Sequence, residues 1–160
     1  FILFVIFGCS KDDGNTDTEF GFAPENPNAQ ILTDLINQIR KAGFKCGNDD
    51  QNSVTEVIWN STLAEVASAH SEDLNNNIGE LTHIGSDGLQ PNERVANAGF
   101  ELTATGIAIE NLAKGYTTEE DVMNAWKDSE GHCKNLMDSR ITEFGVGTAG
   151  PYWTMILARH

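Results

Sequence analysis

Residues 144–157, FGVGTAGPYWTMIL, decide the fold of this chain. Residues 144–149 and 152–157 are two short apolar runs that contain aromatic and β-branched residues, which is typical of β-strands. Gly150-Pro151 between them is a turn signal. The stretch therefore predicts two strands that are joined by a hairpin turn.

Amphipathic helices are predicted upstream of this hairpin. Apolar residues at helical spacing predict a helix over 28–42, and the polar residues 47–53 predict a loop. Asn60 or Ser61 is suited to cap a second helix. The apolar stripe of that helix also carries His70, so we expect His70 to be a core residue whose ring is hydrogen-bonded.

The segment between the second helix and the hairpin adds more elements. Its pattern predicts helices over 90–98 and 117–128, a strand over 105–112 and a short helical turn over 132–137. Helices and strands mix without the regular βαβ alternation of a parallel sheet. The predicted fold class is therefore α+β.

Length and charge restrict the function. A chain of 160 residues suits one domain with a real core. Its net charge of −14 repels phosphate backbones, so we exclude nucleic acid as a partner. An acidic surface of this kind can attract cations or basic proteins, or it can simply keep the domain soluble.

The first residues differ in composition from the rest. Residues 1–9 begin with an apolar run like the core of a signal peptide and end in a stretch that resembles the lipobox of bacterial lipoproteins, in which Cys9 would carry the lipid. Residues 10–27 are acidic and aperiodic, which predicts a disordered tether with a reach of roughly 24 Å. We therefore expect an exported domain, residues 28–160, that a lipid anchors to a bacterial membrane, with possible exposure at the cell surface.

Three residues from separate segments can do chemistry. His83 lies in a glycine-containing loop, and His132 follows a glycine after a predicted helix. Glu110 lies in an apolar strand between Ile109 and Asn111, where a carboxylate needs a partner such as a cation or an imidazole. Taken one at a time, residues of these three kinds are more often structural than functional.

Seven short motifs occur in the order that a known family shows. They are Trp59-Asn60-Ser61-Thr62-Leu63-Ala64, Ala69-His70-Ser71-x-Asp73, His83-x-Gly85-Ser86-Asp87-Gly88, Glu110-Asn111-x-Ala113-x-Gly115, Trp126-x-x-Ser129-x-Gly131-His132-x-x-Asn135, Gly145-x-Gly147 and Tyr152-Trp153-Thr154. This set closely resembles the bacterial branch of the CAP superfamily, also called SCP domains, which are relatives of the cysteine-rich secretory proteins. The resemblance covers about residues 30–158.

The resemblance implies a three-layer α-β-α sandwich, in which helices cover a small central antiparallel sheet beside a long cleft. Eukaryotic members hold two His and two Glu in that cleft, often with a divalent metal. His83 matches the first His, and Glu110 matches the Glu of the Gly-Glu-Asn motif. His132 matches the Gly-His turn of the bacterial branch and is expected to replace the missing strand His. Glu143 is the candidate for a fourth member.

This chain departs from the family pattern at three places. Ser129 and Tyr152 stand where eukaryotic members keep the second Glu and the second His, and Ile109 replaces a Gly. These losses favour a binding cleft over a catalytic one. The resemblance predicts these further cleft residues: Ser86, Asp87, Asn111, Trp126, Asn135 and Tyr152.

Cys46 and Cys133 are the cysteines left once Cys9 is assigned to the lipid. In an exported protein two such cysteines most simply pair, although two free buried thiols are the alternative. Similar cysteines occur in a subset of bacterial family members, which supports the disulfide.

The first functional hypothesis is a monomeric binding module at the cell surface. Its cleft would bind a divalent metal, zinc being the best match to two imidazoles and one carboxylate, together with a surface ligand, a lipid or a protein.

Two alternatives remain open at this point. A metal-assisted hydrolase of peptides or cell wall would use Glu110 and His132 as its catalytic residues. In a purely structural interpretation, the same side chains form a hydrogen-bonded network that only stabilises the cleft.

Overall fold

The computed structural model describes residues 22–160. Its helices are α1 Ala29–Ala42, α2 Ser61–Asp73, α3 Pro91–Asn97, α4 Glu119–Asp128 and α5 Glu130–Leu136, and a π-helical turn, Leu74–Ile78, extends α2. Its strands are β1 Phe44–Cys46, β2 Asp49–Gln51, β3 Ile58–Trp59, β4 Ile107–Lys114, β5 Glu143–Ala149 and β6 Tyr152–Arg159. Among the helices described, none is long and apolar enough to cross a membrane.

The central sheet has the strand order β3-β5-β6-β4. The predicted hairpin is confirmed as β5–β6, where Ala149 pairs with Tyr152 across the turn at Gly150-Pro151. β4 pairs antiparallel with β6, but β3 pairs parallel with β5. The sheet is therefore antiparallel, as predicted, except at this edge, where β3 contributes only two residues.

Helices cover both faces of this sheet, which confirms the α-β-α sandwich. On one face α2 and α3 pack on alternate residues of β6; on the other, α1, α4 and α5 pack on the residues in between. The first core consists of Leu63, Val66, Ala67, Val95, Phe100, Ile156 and Ala158. The second includes Leu32, Ile36, Val122, Trp126, Leu136, Phe144, Val146, Trp153, Met155 and Leu157.

Two glycines of β5 allow α2 to lie directly on the sheet. A Cβ atom at Gly145 would overlap the backbone of Ala64, and one at Gly147 would overlap the backbone of Ser68. Main chain therefore packs against main chain here, so the spacing between the helix and the sheet does not depend on side chains.

One predicted loop has regular structure, and one predicted helical turn begins earlier than expected. The predicted loop 47–53 contains most of a β1–β2 hairpin, which turns at Gly47 with a φ of 62°. Its polar residues give no alternating apolar pattern, so periodicity could not reveal it. α5 begins at Glu130, before the predicted turn at 132–137.

The end of the predicted tether lies against the domain. The backbone N–H of Ala23 donates to the carbonyl of Gly150 at 2.9 Å, and the hydroxyl of Thr148 donates to the carbonyl of Pro24. Residues 22–27 therefore depart from the disordered tether that composition predicts. The rest of the tether and Cys9 lie outside the described residues.

The disulfide Cys46–Cys133 is confirmed, with a Cα–Cα distance of 5.5 Å. It links the β1–β2 hairpin to α5, and both cysteines are fully buried. Because it closes a loop of 87 residues, the chain-entropy model assigns it a stabilisation of about 4–5 kcal/mol.

Candidate functional site

Glu110 is a buried carboxylate at the centre of the candidate site. Its strand, β4, is an outer strand of the sheet, and the cross-strand pairing with Ile156 directs its side chain towards the α2–α3 layer. Only 1% of the side chain is exposed. Nη2 of Arg94 donates to Oε2 at 2.6 Å, and Nδ1 of His83 donates to Oε1 at 2.8 Å. Each of the two carboxylate oxygens therefore accepts a hydrogen bond from a different residue.

His83 is the exposed member of this group. Glu110 holds one edge of the ring, while 55% of the side chain remains accessible. The hydrogen bond from Nδ1 to Glu110 raises the pKa of His83, and the negative charge of Glu110 adds to this against the opposing effects of burial and of Arg94. The imidazole therefore has a fixed orientation and an enhanced tendency to carry a proton.

Arg94 also holds the loop that carries His83. Its Nη1 donates to the carbonyl of His83 at 3.0 Å and to the carbonyl of Leu89 at 2.8 Å. A second attachment lies in the same loop, where the backbone N–H of Ser86 donates to Asp73 at 2.7 Å. The loop conformation is thus fixed by side chains from α2 and α3.

His70 lies behind Glu110, away from solvent. Its side chain is fully buried, and Nε2 donates to the carbonyl of Thr82 at 2.9 Å while lying 3.7 Å from Oε1 of Glu110. Burial lowers the pKa of His70, although the charge of Glu110 opposes this. The expectation of a core histidine with a hydrogen-bonded ring therefore agrees with its position, and its ring also touches the carboxylate of the site.

His132 approaches from the other helical layer. Asn111 donates to its backbone carbonyl at 3.2 Å, and Asn135 in turn donates to the side-chain carbonyl of Asn111 at 2.8 Å. Burial lowers the pKa of His132, and the nearby charge of His83 lowers it further. His132 therefore lies near enough to His83 for the charge of one ring to affect the other, and the cysteine next to His132 ties its helix to the β1–β2 hairpin.

A pocket of about 280 Å³, which His132 helps to line, lies beside the second half of β4. The residues that line it are Leu81, Leu112, Ala113, Lys114, Tyr116, Ala125, Trp126, Ser129 and His132. Trp126 is almost fully buried, and its indole N–H donates to the carbonyl of Leu112 at 3.2 Å. Of the predicted cleft residues outside the His–Glu group, Trp126 is the one that lines this pocket.

Other predicted cleft residues have supporting positions. Asp87 accepts a hydrogen bond from the backbone N–H of Leu89 at 2.9 Å. Like Ser86, it stabilises the loop that carries His83. Tyr152 is buried, and its hydroxyl accepts from Lys114 at 2.7 Å. These contacts shape the surroundings of the cleft.

Comparison with known proteins identifies the family. The model of the cysteine-rich secretory protein family, CAP, matches residues 33–152, three quarters of the chain. This chain belongs to the CAP family.

Two curated relatives from Bacillus subtilis strain 168 are similar to this CAP domain. The uncharacterized membrane protein YlbC is 31% identical over 125 residues, which cover 78% of this chain and 32% of YlbC. The uncharacterized protein YkwD is 35% identical over 95 residues, which cover 58% of this chain and 35% of YkwD. The chain thus spans about a third of the length of the curated relatives it matches.

Solved structures show the same CAP architecture. An extracellular SCP-domain protein from Bacillus anthracis superposes with a TM-score of 0.70 at 26% identity, covering 82% of this chain and 40% of the other. An outer surface protein from Borrelia burgdorferi superposes with a TM-score of 0.67 at 21% identity, covering 82% of this chain and 91% of the other. The second similarity, at this low identity, concerns the fold alone.

In the arrangement described, the predicted metal ligands of this CAP domain do not come together as a metal site. Within residues 22–160, no three His, Cys, Asp or Glu side chains form a group that could hold a metal ion. The physical reason lies at Glu110, because Arg94 and His83 already occupy its two oxygens and Arg94 places a positive charge where a cation would bind.

Glu143 does not join the cleft. It lies on β5, two strands away from β4 in the sheet, and its carboxylate accepts from Asn60 at 2.7 Å and lies 3.1 Å from Nε2 of His160. A glutamate at the start of a predicted strand gave no indication of these partners, since both come from distant parts of the chain.

Arg94 is the site residue that the sequence motifs did not reveal. Its helix is short, and arginine on such a helix is usually an exposed residue. The signal that pointed towards it was the carboxylate of Glu110 within an apolar strand, which needed a partner such as a cation or an imidazole without identifying the residue.

Proposed function

We propose that this CAP domain is an extracytoplasmic, lipid-anchored binding module, and that the cleft beside β4 receives its ligand or protein partner. The observation that carries the proposal is the fixed, half-exposed imidazole of His83. Glu110 holds Nδ1 of its ring, and Arg94 holds both Glu110 and the backbone carbonyl of His83. Preorganised polar groups beside an apolar pocket are typical of binding sites.

The same geometry gives Glu110 a positioning role. A general base needs an oxygen or nitrogen within reach of the proton that it removes. The side chain of Glu110 is only 1% exposed, and both of its oxygens accept hydrogen bonds from Arg94 and His83. Glu110 is therefore suited to hold His83 in place.

A binding screen tests the proposal. The protein labelled with ¹⁵N is titrated with libraries of tripeptides, chito-oligosaccharides and lysophospholipids, and each mixture is then analysed for products by mass spectrometry. We expect amide shifts that cluster at His83, Asn111 and His132 without any new products. Shifts confined to other surfaces would contradict a binding role of this cleft, and products that vanish in Glu110→Gln would establish the hydrolase instead.

Zinc binding by His83, Glu110 and His132 stays a prediction. Calorimetric titration with zinc chloride at pH 7.5 tests it, because imidazoles ligate only when unprotonated. If Arg94 keeps the cation out, Arg94→Met should bind zinc more tightly than the unsubstituted protein does. Equal affinity of the two proteins would show that the charge of Arg94 is irrelevant to zinc.

Lipid anchoring through Cys9 is the second part of the proposal. It is supported by the lipobox-like stretch before Cys9 and by the acidic residues Asp12 and Asp13 after it. In bacterial cells that are fed radiolabelled palmitate, the protein should be labelled and should sediment with membranes, whereas Cys9→Ala should be unlabelled. An unlabelled parent protein would contradict lipidation and would leave the proposal for the cleft intact.

A further inference from the structure

His70 lies directly behind the loop that carries His83. It belongs to α2, and Thr82 follows it by 12 positions, after the π-helical turn. Nε2 of His70 donates to the backbone carbonyl of Thr82 at 2.9 Å. The next carbonyl along the chain, that of His83, accepts from Nη1 of Arg94 at 3.0 Å. Buried side chains of α2 and α3 therefore hold the two peptide groups between which His83 lies.

Thr82 connects the contact of His70 to the orientation of His83. Its hydroxyl accepts a hydrogen bond from the backbone N–H of Ile84 at 3.1 Å, and this bond closes a tight turn with His83 at its centre. The position of Thr82 therefore determines the direction in which the side chain of His83 leaves the backbone. Because His70 holds the carbonyl of Thr82, His70 fixes the start of that turn.

Resting on the proposed binding function, we infer that His70 is a positioning residue of the cleft. Its Nε2–H group holds Thr82 so that Nδ1 of His83 meets Glu110 and the other edge of the His83 ring faces the ligand. His70 acts through His83 and does not touch the ligand itself, because its side chain is fully buried.

The surroundings of the His70 ring determine which nitrogen carries its proton. Nε2 faces two oxygens that accept hydrogen bonds, the carbonyl of Thr82 at 2.9 Å and Oε1 of Glu110 at 3.7 Å. Nε2 is therefore the protonated nitrogen. Nδ1 has no hydrogen-bond partner among the described residues. A single donor at the position of Nε2 thus accounts for the described polar contacts of the ring.

Packing alone does not account for a histidine at this position. Leu63, Val66 and Leu74 lie on the same face of α2, and all three are buried apolar residues. An apolar side chain of similar size would continue this face. Such a side chain would lack the donor to Thr82, so the role of His70 can be separated from its volume by substitution.

Two amide variants distinguish the two ring nitrogens. Glutamine carries its amide nitrogen at a distance from the backbone that is similar to that of Nε2, and asparagine carries it at a distance similar to that of Nδ1. His70→Gln should therefore keep the hydrogen bond to Thr82, whereas His70→Asn should lose it and still be polar. Leu74→Ala is the control for a general loss of packing, because Leu74 is a fully buried apolar residue on the same helix face.

The measurement is the tautomer of His83 in long-range ¹H–¹⁵N spectra of the whole protein, recorded above the pKa of His83 so that its ring is neutral. The hydrogen bond to Glu110 requires the proton on Nδ1. We expect the Nδ1–H form to be the major one in the parent, in His70→Gln and in Leu74→Ala. In His70→Asn the major form should shift to Nε2–H. Persistence of the Nδ1–H form in His70→Asn, or its equal loss in His70→Gln, would overturn the inference.

A variant of Thr82 keeps the test decisive if the substitutions of buried His70 prevent folding, which circular dichroism detects. Thr82→Ala leaves the carbonyl in place and removes the hydroxyl that bonds to Ile84, so it should also shift His83 towards Nε2–H. An unchanged tautomer in Thr82→Ala would overturn the inference.

The outcome is separable from that of the proposed function. If the library screen shifts amides at His83 but the tautomer is the same in His70→Asn as in the parent, the inference fails and the proposed function stands. If the tautomer responds as expected but the library screen shifts no amides at the cleft, His70 still orients His83 and the proposed function fails.

Discussion

Replacing Arg94 by methionine should strongly destabilise the domain. Arg94 and Glu110 are both buried, with side chains that are 10% and 1% exposed. Methionine keeps the apolar stem of Arg94 and removes all the hydrogen bonds of the guanidinium group. It leaves the carboxylate of Glu110 with His83 as its main partner. Removing one member of a buried ion pair costs about 3–5 kcal/mol, so Arg94→Met should lose at least about 3 kcal/mol of unfolding free energy.

Urea unfolding, followed by tryptophan fluorescence at pH 7, measures this loss. The matched control is Lys41→Met, which breaks an exposed pair with Glu56 and should cost less than about 1 kcal/mol. The double variant Arg94→Met/Glu110→Gln should lose less than the sum of its two single variants, because no unpaired charge stays buried. A loss below 1 kcal/mol in Arg94→Met, or simple additivity in the double variant, would refute this account of the site.

Three other predictions concern the frame and the pH response of the site. Cys46→Ala/Cys133→Ala should lower the midpoint of thermal unfolding, with a loss of up to about 4–5 kcal/mol of unfolding free energy. An unchanged midpoint would show that the disulfide does not stabilise the domain. Gly147→Ala should yield little folded protein by circular dichroism, because its Cβ overlaps the backbone of α2; a stable variant would mean that the helix can move away. Because Glu110 raises the pKa of His83, the stabilisation by this pair is fully present below about pH 6.5 and is lost as pH rises through the raised pKa. The difference in unfolding free energy between the parent and His83→Gln should therefore shrink from pH 6 towards pH 9, and a difference that grows would refute the assignment.

Local sequence patterns predicted most of the regular structure. The helix α1 and the β5–β6 hairpin follow from apolar spacing and from turn residues, which act over a few positions. The parallel pairing of β3 with β5 joins residues that are more than 80 positions apart in the sequence. No local rule specifies such a pairing, and the strand is too short to show a period of its own.

The candidate site was predictable to a similar extent. His83 and Glu110 were indicated by matched motifs and by the cost of a carboxylate in an apolar strand, and the structure brings them into contact. The contribution of Arg94 was not predictable, since its helix gives no sign of which direction the side chain takes. The metal hypothesis assumed that Glu110 was available, and only the three-dimensional arrangement shows that Arg94 already neutralises it.

The strand order determines when the central sheet can form during synthesis. The two central strands of the sheet, β5 and β6, come last in the sequence, while the outer strands β3 and β4 come earlier. The outer strands have no neighbour until residues 143–159 have left the ribosome. We therefore expect the nascent chain to remain without its central sheet until the β5–β6 hairpin has been made. A chain in that state would suit the proposed export, because proteins that cross a membrane unfolded must not assemble their sheet beforehand.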